Sequence, residues 1–471
     1  MAPRSDEDDL MLKPRTCDVA VIGAGSAGLA AYRAATGAGA RTLLMEAGEG
    51  GTTCVRYGCM PSKLLLAAGR AARDAREALV FGVSAKPVEV DGRAVMRRLH
   101  RLRDDFLADV METVAAIPER DRIQGRARFA GPTELTVDDH TRVSARTVVI
   151  ATGARPTMPD DLKAACGDRL LTHETIFDLT DLPRALAVIG AGPLGLELAL
   201  ACARLGVRTA LFDEGSEIGG VGDPVVAEAV RSAVETELTL HQAVRVAARR
   251  AGDGDVTLSW TDAAGKHRRG RFDYVLAAAG RPPAVDGLDL NLAGVERDET
   301  GVPVFDPRTL QCGRSSLFIA GDANADRPVL HEASLQGRLA GANAARFPDL
   351  ERRAPMPEMA LIYADPDIAR IGPGYSEDAS RDWVIGCSDS VGRARVDGRD
   401  PGVSRVYAEA ATGVLVGGEL FGPDVEHIAH LLAWAVQLKL TAEAVLELPF
   451  YHPTVEEGFR TALRDIARQL G

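Results

Sequence analysis

Features that define several protein classes are scarce in this sequence. No run reaches the roughly 18 consecutive apolar residues that a membrane-spanning helix needs, because Arg, Asp and Gly interrupt every hydrophobic stretch. Basic residues are in deficit, with 55 Lys and Arg against 67 Asp and Glu, and nucleic-acid binders need a positive face. Residues 1–14 carry four acids where a secretory signal needs a basic start and an apolar run. We therefore expect a cytoplasmic protein with no nucleic-acid or membrane partner, and a flexible segment over residues 1–13.

Cysteine is too sparse for a disulfide scaffold, since the 471 residues contain seven. In a reducing compartment, two cysteines at motif spacing indicate catalysis or a metal. Cys54 and Cys59 have such a spacing, but no second Cys/His pair with zinc-ligand spacing accompanies them, so we expect no metal site. The remaining alternative to a catalytic pair is that Cys54 and Cys59 are two unrelated cysteines of the core.

An internal repeat at an offset of 167 residues organises the first half of the chain. Each copy has an apolar run suited to a buried strand, a GxGxxG turn, an Ala/Leu-rich stretch with helical spacing, and a second apolar run closed by an acid. The glycines and the closing acid are Gly23, Gly25, Gly28 and Glu46 in the first copy, and Gly190, Gly192, Gly195 and Asp213 in the second. The pattern predicts two Rossmann-like units.

The repeated pattern also predicts two bound dinucleotides. The first glycine permits the tight turn, the second lets a pyrophosphate approach the backbone, and the third lets helix and strand pack closely. The closing acid suits a ribose hydroxyl pair. In the second copy an acid would repel a 2′-phosphate, so NAD is preferred over NADP. The alternative is an NADP site, in which a loop arginine such as Arg281 would bind the 2′-phosphate.

Two similar segments, 147–156 and 274–283, indicate crossings between domains. They predict a first dinucleotide domain split over 14–152 and 280–350, with a second domain, 153–279, inserted into it. Beyond Arg353 shorter alternating runs predict an antiparallel sheet with helices in a third domain, 351–471. The apolar run at 315–323 ends in Gly321-Asp322, where the carboxylate suits a polyol hydroxyl; a helix N-cap is the alternative.

The spacing of the two cysteines does not suit a regular helix. Five residues of ideal helix rise about 7.5 Å, beyond the roughly 4.4–6.8 Å between Cα atoms that a disulfide allows. The segment must leave the helical path if Cys54 and Cys59 bond, and Gly58 supplies that freedom. Pro61 then suits the first turn of a following helix, whose positive end favours a thiolate at Cys59.

A histidine near the C-terminus suits acid/base chemistry. His452 is followed by Glu457, and a carboxylate fixes the tautomer of an imidazole and stabilises its cation. A structural His–Glu pair is the alternative.

Five segments in order resemble the FAD-containing pyridine nucleotide-disulfide oxidoreductases, and among them the dihydrolipoamide dehydrogenase branch. They are the FAD fingerprint GAGSAG, the redox motif GTTCVRYGCMPSK, the NAD fingerprint GAGPLGLE, the second FAD motif FIAGD and the dimerisation-domain motif HPTVEE. The resemblance implies an α/β fold with two Rossmann-like domains, for FAD and NAD, and a C-terminal α+β dimerisation domain.

The resemblance also implies roles for individual residues. Cys54 is the interchange thiol that meets the substrate, and Cys59 is the charge-transfer thiol over the flavin. His452 serves the other subunit of a homodimer, with Glu457 orienting it. Lys63 and Glu197 form an ion pair beside the flavin.

The positions implied to contact FAD or NAD lie in the fingerprints and at strand ends. They are Gly23, Gly25, Ser26, Ala27, Gly28, Glu46, Thr53, Lys63, Thr152, Gly153, Gly190, Gly192, Leu194, Gly195, Asp213, Gly280, Arg281, Gly321 and Asp322. The redox loop departs from the family pattern at Thr52, Arg56 and Tyr57.

The implied activity is the oxidation of dihydrolipoamide to lipoamide with reduction of NAD, through a disulfide between Cys54 and Cys59. The alternatives are another NAD(P)H-dependent disulfide reductase and a flavin diaphorase or quinone reductase with idle cysteines. The lipoyl-bearing acyltransferase of a 2-oxo acid dehydrogenase complex is the expected protein partner. A mercuric reductase is expected to carry an additional cysteine pair at its C-terminus. This reading is disfavoured because no cysteine follows Cys387.

Overall fold

The structure, a computed structural model, describes residues 12–84, 87–252, 254–376, 381–389, 391–400 and 402–471. Most of the predicted flexible N-terminus, residues 1–11, lies outside the described residues, and Lys13 already begins the first strand. Described residues form two compact units. The first comprises residues from 1–58, 102–155 and 281–355, and the second residues from 59–101, 156–280 and 356–471. The boundaries of the three sequence domains stay predictions.

The strands are β1 (Lys13–Ile22), β2 (Thr42–Glu46), β3 (Arg122–Gln124), β4 (Ala127–Phe129), β5 (Glu134–Val137), β6 (Thr141–Ile150), β7 (Leu170–Leu171), β8 (Ala185–Ile189), β9 (Arg208–Phe212), β10 (Thr239–His241), β11 (Ala247–Arg250), β12 (Val256–Thr261), β13 (His267–Phe272), β14 (Tyr274–Ala277), β15 (Leu317–Ile319), β16 (Met359–Ile362), β17 (Asp367–Ile371), β18 (Trp383–Ser388), β19 (Val403–Glu409) and β20 (Leu415–Gly422). The helices are α1 (Ser26–Gly37), α2 (Thr53–Arg56), α3 (Cys59–Glu77), α4 (Gly92–Ala115), α5 (Asp160–Cys166), α6 (Pro193–Arg204), α7 (Pro224–Glu237), α8 (Leu330–Arg346), α9 (Gly392–Val396), α10 (Val425–Gln437), α11 (Ala442–Leu446) and α12 (Glu457–Leu470).

The first unit is built on a seven-stranded sheet in the order β3-β2-β1-β6-β5-β4, with β15 also pairing with β6. Strands β3, β2, β1, β6 and β15 pair in parallel, whereas β5 and β4 continue the sheet antiparallel. The run Val19–Ile22 is buried, as expected for a parallel strand covered on both faces. Helices α1 and α8 cross closely, because a Cβ at Gly337 would lie 2.2 Å from the Ala27 carbonyl oxygen.

The second unit contains a parallel five-stranded sheet in the order β10-β9-β8-β14-β7. It also contains a three-stranded antiparallel sheet, β11-β12-β13, and a five-stranded antiparallel sheet, β16-β17-β20-β19-β18. Helices α10, α11 and α12 cover the last sheet through an apolar core. The predicted fold class is therefore confirmed: two β–α–β dinucleotide units and a C-terminal α+β region.

The two predicted crossing segments run side by side. Ala154 and Pro283 form an antiparallel bridge, and the Arg155 N–H donates to the Pro282 carbonyl at 3.1 Å. No helix in the described part of the chain is long and apolar enough to cross a membrane.

Candidate active site

The first GxGxxG turn joins β1 to α1. A Cβ at Gly28 would lie 1.8 Å from the Gly23 carbonyl oxygen, so only glycine allows the helix to pack this closely on the turn. Glu46, at the end of β2, accepts hydrogen bonds from the N–H groups of Ala24 and Gly48, each at 2.7 Å. An ionised carboxylate has about four acceptor sites, so two remain for ribose hydroxyls.

The space around this turn fits the pyrophosphate of a dinucleotide. An added Cβ at Gly25, the N-cap residue of α1, would meet nothing within 4 Å. The positive helix end therefore faces open space. Among the described residues the buried Thr152 hydroxyl has no hydrogen-bond partner, and at Gly153 there is again room for an added Cβ. The residues present thus fit the FAD site that the sequence predicted.

The second GxGxxG turn repeats this geometry between β8 and α6. A Cβ at Gly195 would lie 1.9 Å from the Gly190 carbonyl oxygen, whereas one at Gly192 would meet nothing within 4 Å. Asp213 accepts from the Ala191 N–H at 2.6 Å and from the Gly215 N–H at 2.7 Å. The residues fit a second dinucleotide, with Leu194 half-buried on the first turn of α6.

An arginine that the sequence reasoning missed lies beside this acid. Arg245 forms a bidentate ion pair with Glu214, both contacts at 3.1 Å. Glu214 follows Asp213 directly, so the charge of this arginine is compensated next to the acid that closes the second unit. Arg281, the arginine considered as an alternative, instead donates to Asp322 at 2.8 Å in the first unit.

The Arg281–Asp322 pair lies at the end of β15. Gly321 adopts φ +71°, and a Cβ there would lie 2.8 Å from the Ala27 Cβ, so the strand end packs directly on α1. The Arg281 Nε is buried and has no hydrogen-bond partner among the described residues. Arg281 and Asp322 both belong to the first unit, which also contains the first GxGxxG turn. Gly280, the residue before, has φ +128° and is exposed.

The redox segment is interrupted between its cysteines. Cys54 lies in the four-residue helix α2, which begins at Thr53, and Cys59 begins α3. Gly58 lies between the two helices, where a Cβ would be 3.1 Å from the Cys54 Cα. The break predicted at Gly58 is present, and it falls where the chain passes from the first unit to the second. Cys59 occupies the helix N-terminus, which favours a thiolate.

Two departures from the family pattern have visible contacts. Arg56 folds back on the preceding turn, where its Nε donates to the Gly50 carbonyl at 2.6 Å, and it pairs with Glu49 at 3.3 Å. Thr52 adopts φ −89°, a conformation open to any residue. Within the described part of the chain, no contact explains Tyr57.

Lys63 and Glu197, predicted as an ion pair, are in contact. The Lys63 Nζ lies 2.8 Å from both Glu197 carboxylate oxygens. Lys63 follows Cys59 by one turn of α3, so both face the same side of the helix. Tyr363, which the sequence reasoning missed, completes the group: its N–H donates to Glu197 Oε1 at 3.1 Å, and its ring lies under the ammonium, 4.5 Å from the centroid.

His452 and Glu457 are also in contact, with Nδ1 2.9 Å from Oε2. This hydrogen bond is the main cause of a lowered pKa at Glu457. The His452 side chain is 81% exposed, and the neighbouring Tyr451 is 83% exposed. The imidazole is therefore oriented by a carboxylate and accessible from outside the chain.

Four cysteines outside the redox segment are buried: Cys17, Cys166, Cys202 and Cys312. Burial raises the pKa of Cys17, Cys202 and Cys312 to about 12 and that of Cys166 to about 11, so these thiols stay protonated. Cys54 is half-buried and Cys59 exposed. Cys387 on β18 is half-buried, so among the described cysteines only these three are not buried.

Comparison with known proteins decides the family. A profile for pyridine nucleotide-disulphide oxidoreductases matches residues 17–345, and a profile for the dimerisation domain of the same proteins matches 359–463. The chain belongs to this family. It is a flavoprotein disulfide oxidoreductase whose cofactors are FAD and a nicotinamide dinucleotide, and its C-terminal region is a dimerisation domain.

Relatives within the family have different names. Dihydrolipoyl dehydrogenase of Halobacterium salinarum is 28% identical over 94% of this chain and 94% of its own length. Mercuric reductase of Lysinibacillus sphaericus is 26% identical over 97% of this chain and 84% of its own length. Among solved structures, the HOCl-induced flavoprotein disulfide reductase RclA from Escherichia coli, as its Cu(II) complex, superposes with a TM-score of 0.82 at 20% identity, covering 96% of this chain and 99% of that one. This last likeness concerns the fold.

Proposed function

We propose that this flavoprotein is a dihydrolipoyl dehydrogenase that oxidises dihydrolipoamide to lipoamide and reduces NAD. The observation that carries the proposal is the group on α3: Cys59 at the helix N-terminus and, one turn later, the Lys63 ammonium bound by Glu197. A cation and a helix N-terminus both favour negative charge on sulfur. The relatives named dihydrolipoyl dehydrogenase support the same substrate.

The thiol chemistry uses three side chains. His452 takes the proton of one substrate thiol, and the resulting thiolate attacks the Cys54 sulfur. The Cys54–Cys59 bond breaks, and Cys59 leaves as a thiolate. The second substrate thiol then attacks the substrate sulfur of the mixed disulfide, and its proton passes to the departing Cys54 sulfur, which releases lipoamide and a Cys54 thiol. The protein has gained two electrons, held as the Cys54 thiol and the Cys59 thiolate, and two protons, one on Cys54 and one on His452, all of which the substrate has lost.

A bound FAD would supply the two-electron redox chemistry that links this dithiol to NAD. The chain's residues bind and orient the cofactors. Gly25 and Thr152 would hold the first dinucleotide, and the Lys63 ammonium would stabilise negative charge on a reduced flavin. Asp213, with its two backbone hydrogen bonds, accepts the hydroxyls of NAD and repels a 2′-phosphate.

A homodimer completes the proposed site. His452 and Glu457 form an oriented but exposed pair, so the imidazole of one chain is available to the cysteines of a second. In a symmetric pair each subunit then completes the other's site. The lipoyl-bearing acyltransferase of a 2-oxo acid dehydrogenase complex would present the substrate to this joint site.

Replacing Cys59 tests the function directly. Cys59→Ser should retain FAD and lose dihydrolipoamide:NAD activity, because the disulfide can no longer form. Cys387→Ser is the matched control and should keep full activity. Full dihydrolipoamide activity in Cys59→Ser would overturn the proposal, and so would a wild-type enzyme that reduces glutathione disulfide or quinones but leaves dihydrolipoamide untouched.

Replacing His452 tests the acid/base role. His452→Ala should lower kcat by the roughly 10²- to 10⁴-fold typical of a lost general base and leave flavin absorbance unchanged. Mixing this variant with Cys54→Ser should restore part of the activity, because a mixed dimer contains one intact site. Loss of activity that no mixture restores would argue against a site shared between subunits.

A further inference from the structure

We propose that Tyr363 is a positioning residue for Lys63, and that its ring holds the ammonium between Glu197 and Cys59. The inference rests on the proposed function, which gives the Lys63 ammonium a role in stabilising the reduced flavin. It rests on contacts within the second unit for its geometry. It gives the dimerisation domain a direct part in the redox site, because Tyr363 lies within the matched segment 359–463.

Tyr363 touches both members of the ion pair, and by different parts of the residue. Its backbone N–H donates to the Glu197 carboxylate at 3.1 Å. Its ring faces the Lys63 Nζ, 4.5 Å from the centroid, well within the roughly 6 Å over which a cation–π attraction acts. The two contacts therefore separate cleanly: a side-chain substitution removes the ring and leaves the hydrogen bond to Glu197.

The segment that carries Tyr363 is fastened to the same two helices. Asp365, two residues later, is buried and accepts from Arg70 at 2.7 Å and Arg73 at 2.6 Å, both on α3. Its carbonyl accepts from Arg204 at 2.7 Å, at the end of α6. Since α3 carries Lys63 and α6 carries Glu197, these bonds set the turn between β16 and β17 in register with the ion pair.

The ring stays neutral in this position. Burial, and then the nearby carboxylates of Glu426, Asp367 and Glu197, raise the pKa of the Tyr363 hydroxyl. Cys59 contributes to the same effect. A phenol that remains un-ionised keeps the quadrupole that attracts an ammonium.

Lys63 acylation is the test. The full-length protein as purified is pulsed with acetic anhydride at fixed pH, and mass spectrometry compares acetylation of Lys63 with that of the exposed Lys163 and Lys266. Acetic anhydride reacts with the Lys63 amine only when the amine has left its contacts with Glu197 and Tyr363. Tyr363→Leu should therefore raise Lys63 labelling roughly 3- to 30-fold relative to the reference lysines, the range that loss of a cation–π contact implies. Tyr363→Phe keeps the ring and should stay within about twofold of wild type.

Tyr274→Leu is the matched control. It removes another ring under a cation, that of Arg169 at 4.9 Å, and should leave Lys63 labelling unchanged. The proposal fails if Tyr363→Leu stays within about twofold of wild type, if Tyr363→Phe rises as much as Tyr363→Leu, or if Tyr274→Leu rises equally.

The proposed function can fail independently. Lys63 labelling does not depend on turnover, so the expected pattern together with full dihydrolipoamide activity in Cys59→Ser would keep the role of Tyr363 and reject the function. In the enzyme as isolated, Tyr363→Leu should also shift the flavin reduction potential, whereas Tyr363→Phe should not. An unchanged reduction potential in both variants would show that Lys63 does not influence the flavin.

Discussion

Removing either half of the Lys63–Glu197 pair should cost different amounts of stability. The Glu197 side chain is 6% exposed, whereas that of Lys63 is 35% exposed. Lys63→Met therefore leaves a buried carboxylate whose remaining donor, among the residues that the structure describes, is the Tyr363 N–H. Breaking a buried pair in this way costs about 3–5 kcal/mol. Because one donor remains, we expect about 3 kcal/mol.

The reverse substitution should be milder. In Glu197→Gln the ammonium keeps an amide oxygen as acceptor and reaches water at its exposed part, so the cost falls to about 1–2 kcal/mol, the scale of a weakened hydrogen bond. The double variant Lys63→Met/Glu197→Gln should be more stable than Lys63→Met alone, because the uncompensated charge is gone. The two costs are coupled and do not add.

Urea unfolding of the flavin-free protein measures these differences. With a slope of about 3 kcal/mol per molar urea, the first transition of Lys63→Met should move down by about 1 M and that of Glu197→Gln by about one-third to two-thirds as much. Equal shifts in the two single variants, or a double variant whose shift equals their sum, would refute the burial argument.

Three further outcomes follow from other contacts. Gly28→Ala should lose bound FAD, seen as lost flavin absorbance, because its Cβ would lie 1.8 Å from a carbonyl oxygen; an FAD-loaded variant would contradict this. Glu214→Ala should free Arg245 and lower the KM for NADP several-fold, and the added Arg245→Ala should cancel the gain; an unchanged KM would show that the arginine does not reach the 2′-phosphate. Burial, and then Glu426, raise the pKa of Asp367, so the folded chain holds that proton more tightly than the unfolded one. The free energy of unfolding should then fall as pH rises from about 5 to 8, and Asp367→Asn should flatten that decline in urea titrations; the same slope in both proteins would contradict it.

The sequence by itself determined the fold class and the local parts of the site. The repeated GxGxxG turns and closing acids are short-range patterns, because a tight turn needs glycine and the acid lies at the end of the next strand. The helix break at Gly58 followed from spacing together with the expectation that Cys54 and Cys59 bond, since a regular helix separates them too far for a disulfide. Each of these features depends on neighbours along the chain.

Only the tertiary structure decided which distant side chains meet. Lys63 and Glu197 are 134 residues apart, and Tyr363 is 166 residues from Glu197; the resemblance implied the first contact, but nothing in the pattern around Tyr363 indicated the second. Packing likewise brings together two pairs that lie outside the strands, Glu214 with Arg245 and Arg281 with Asp322. A single side chain carries no periodicity, so its long-range partner is set by how the helices and sheets pack, and that packing assigns the Tyr363 ring to Lys63.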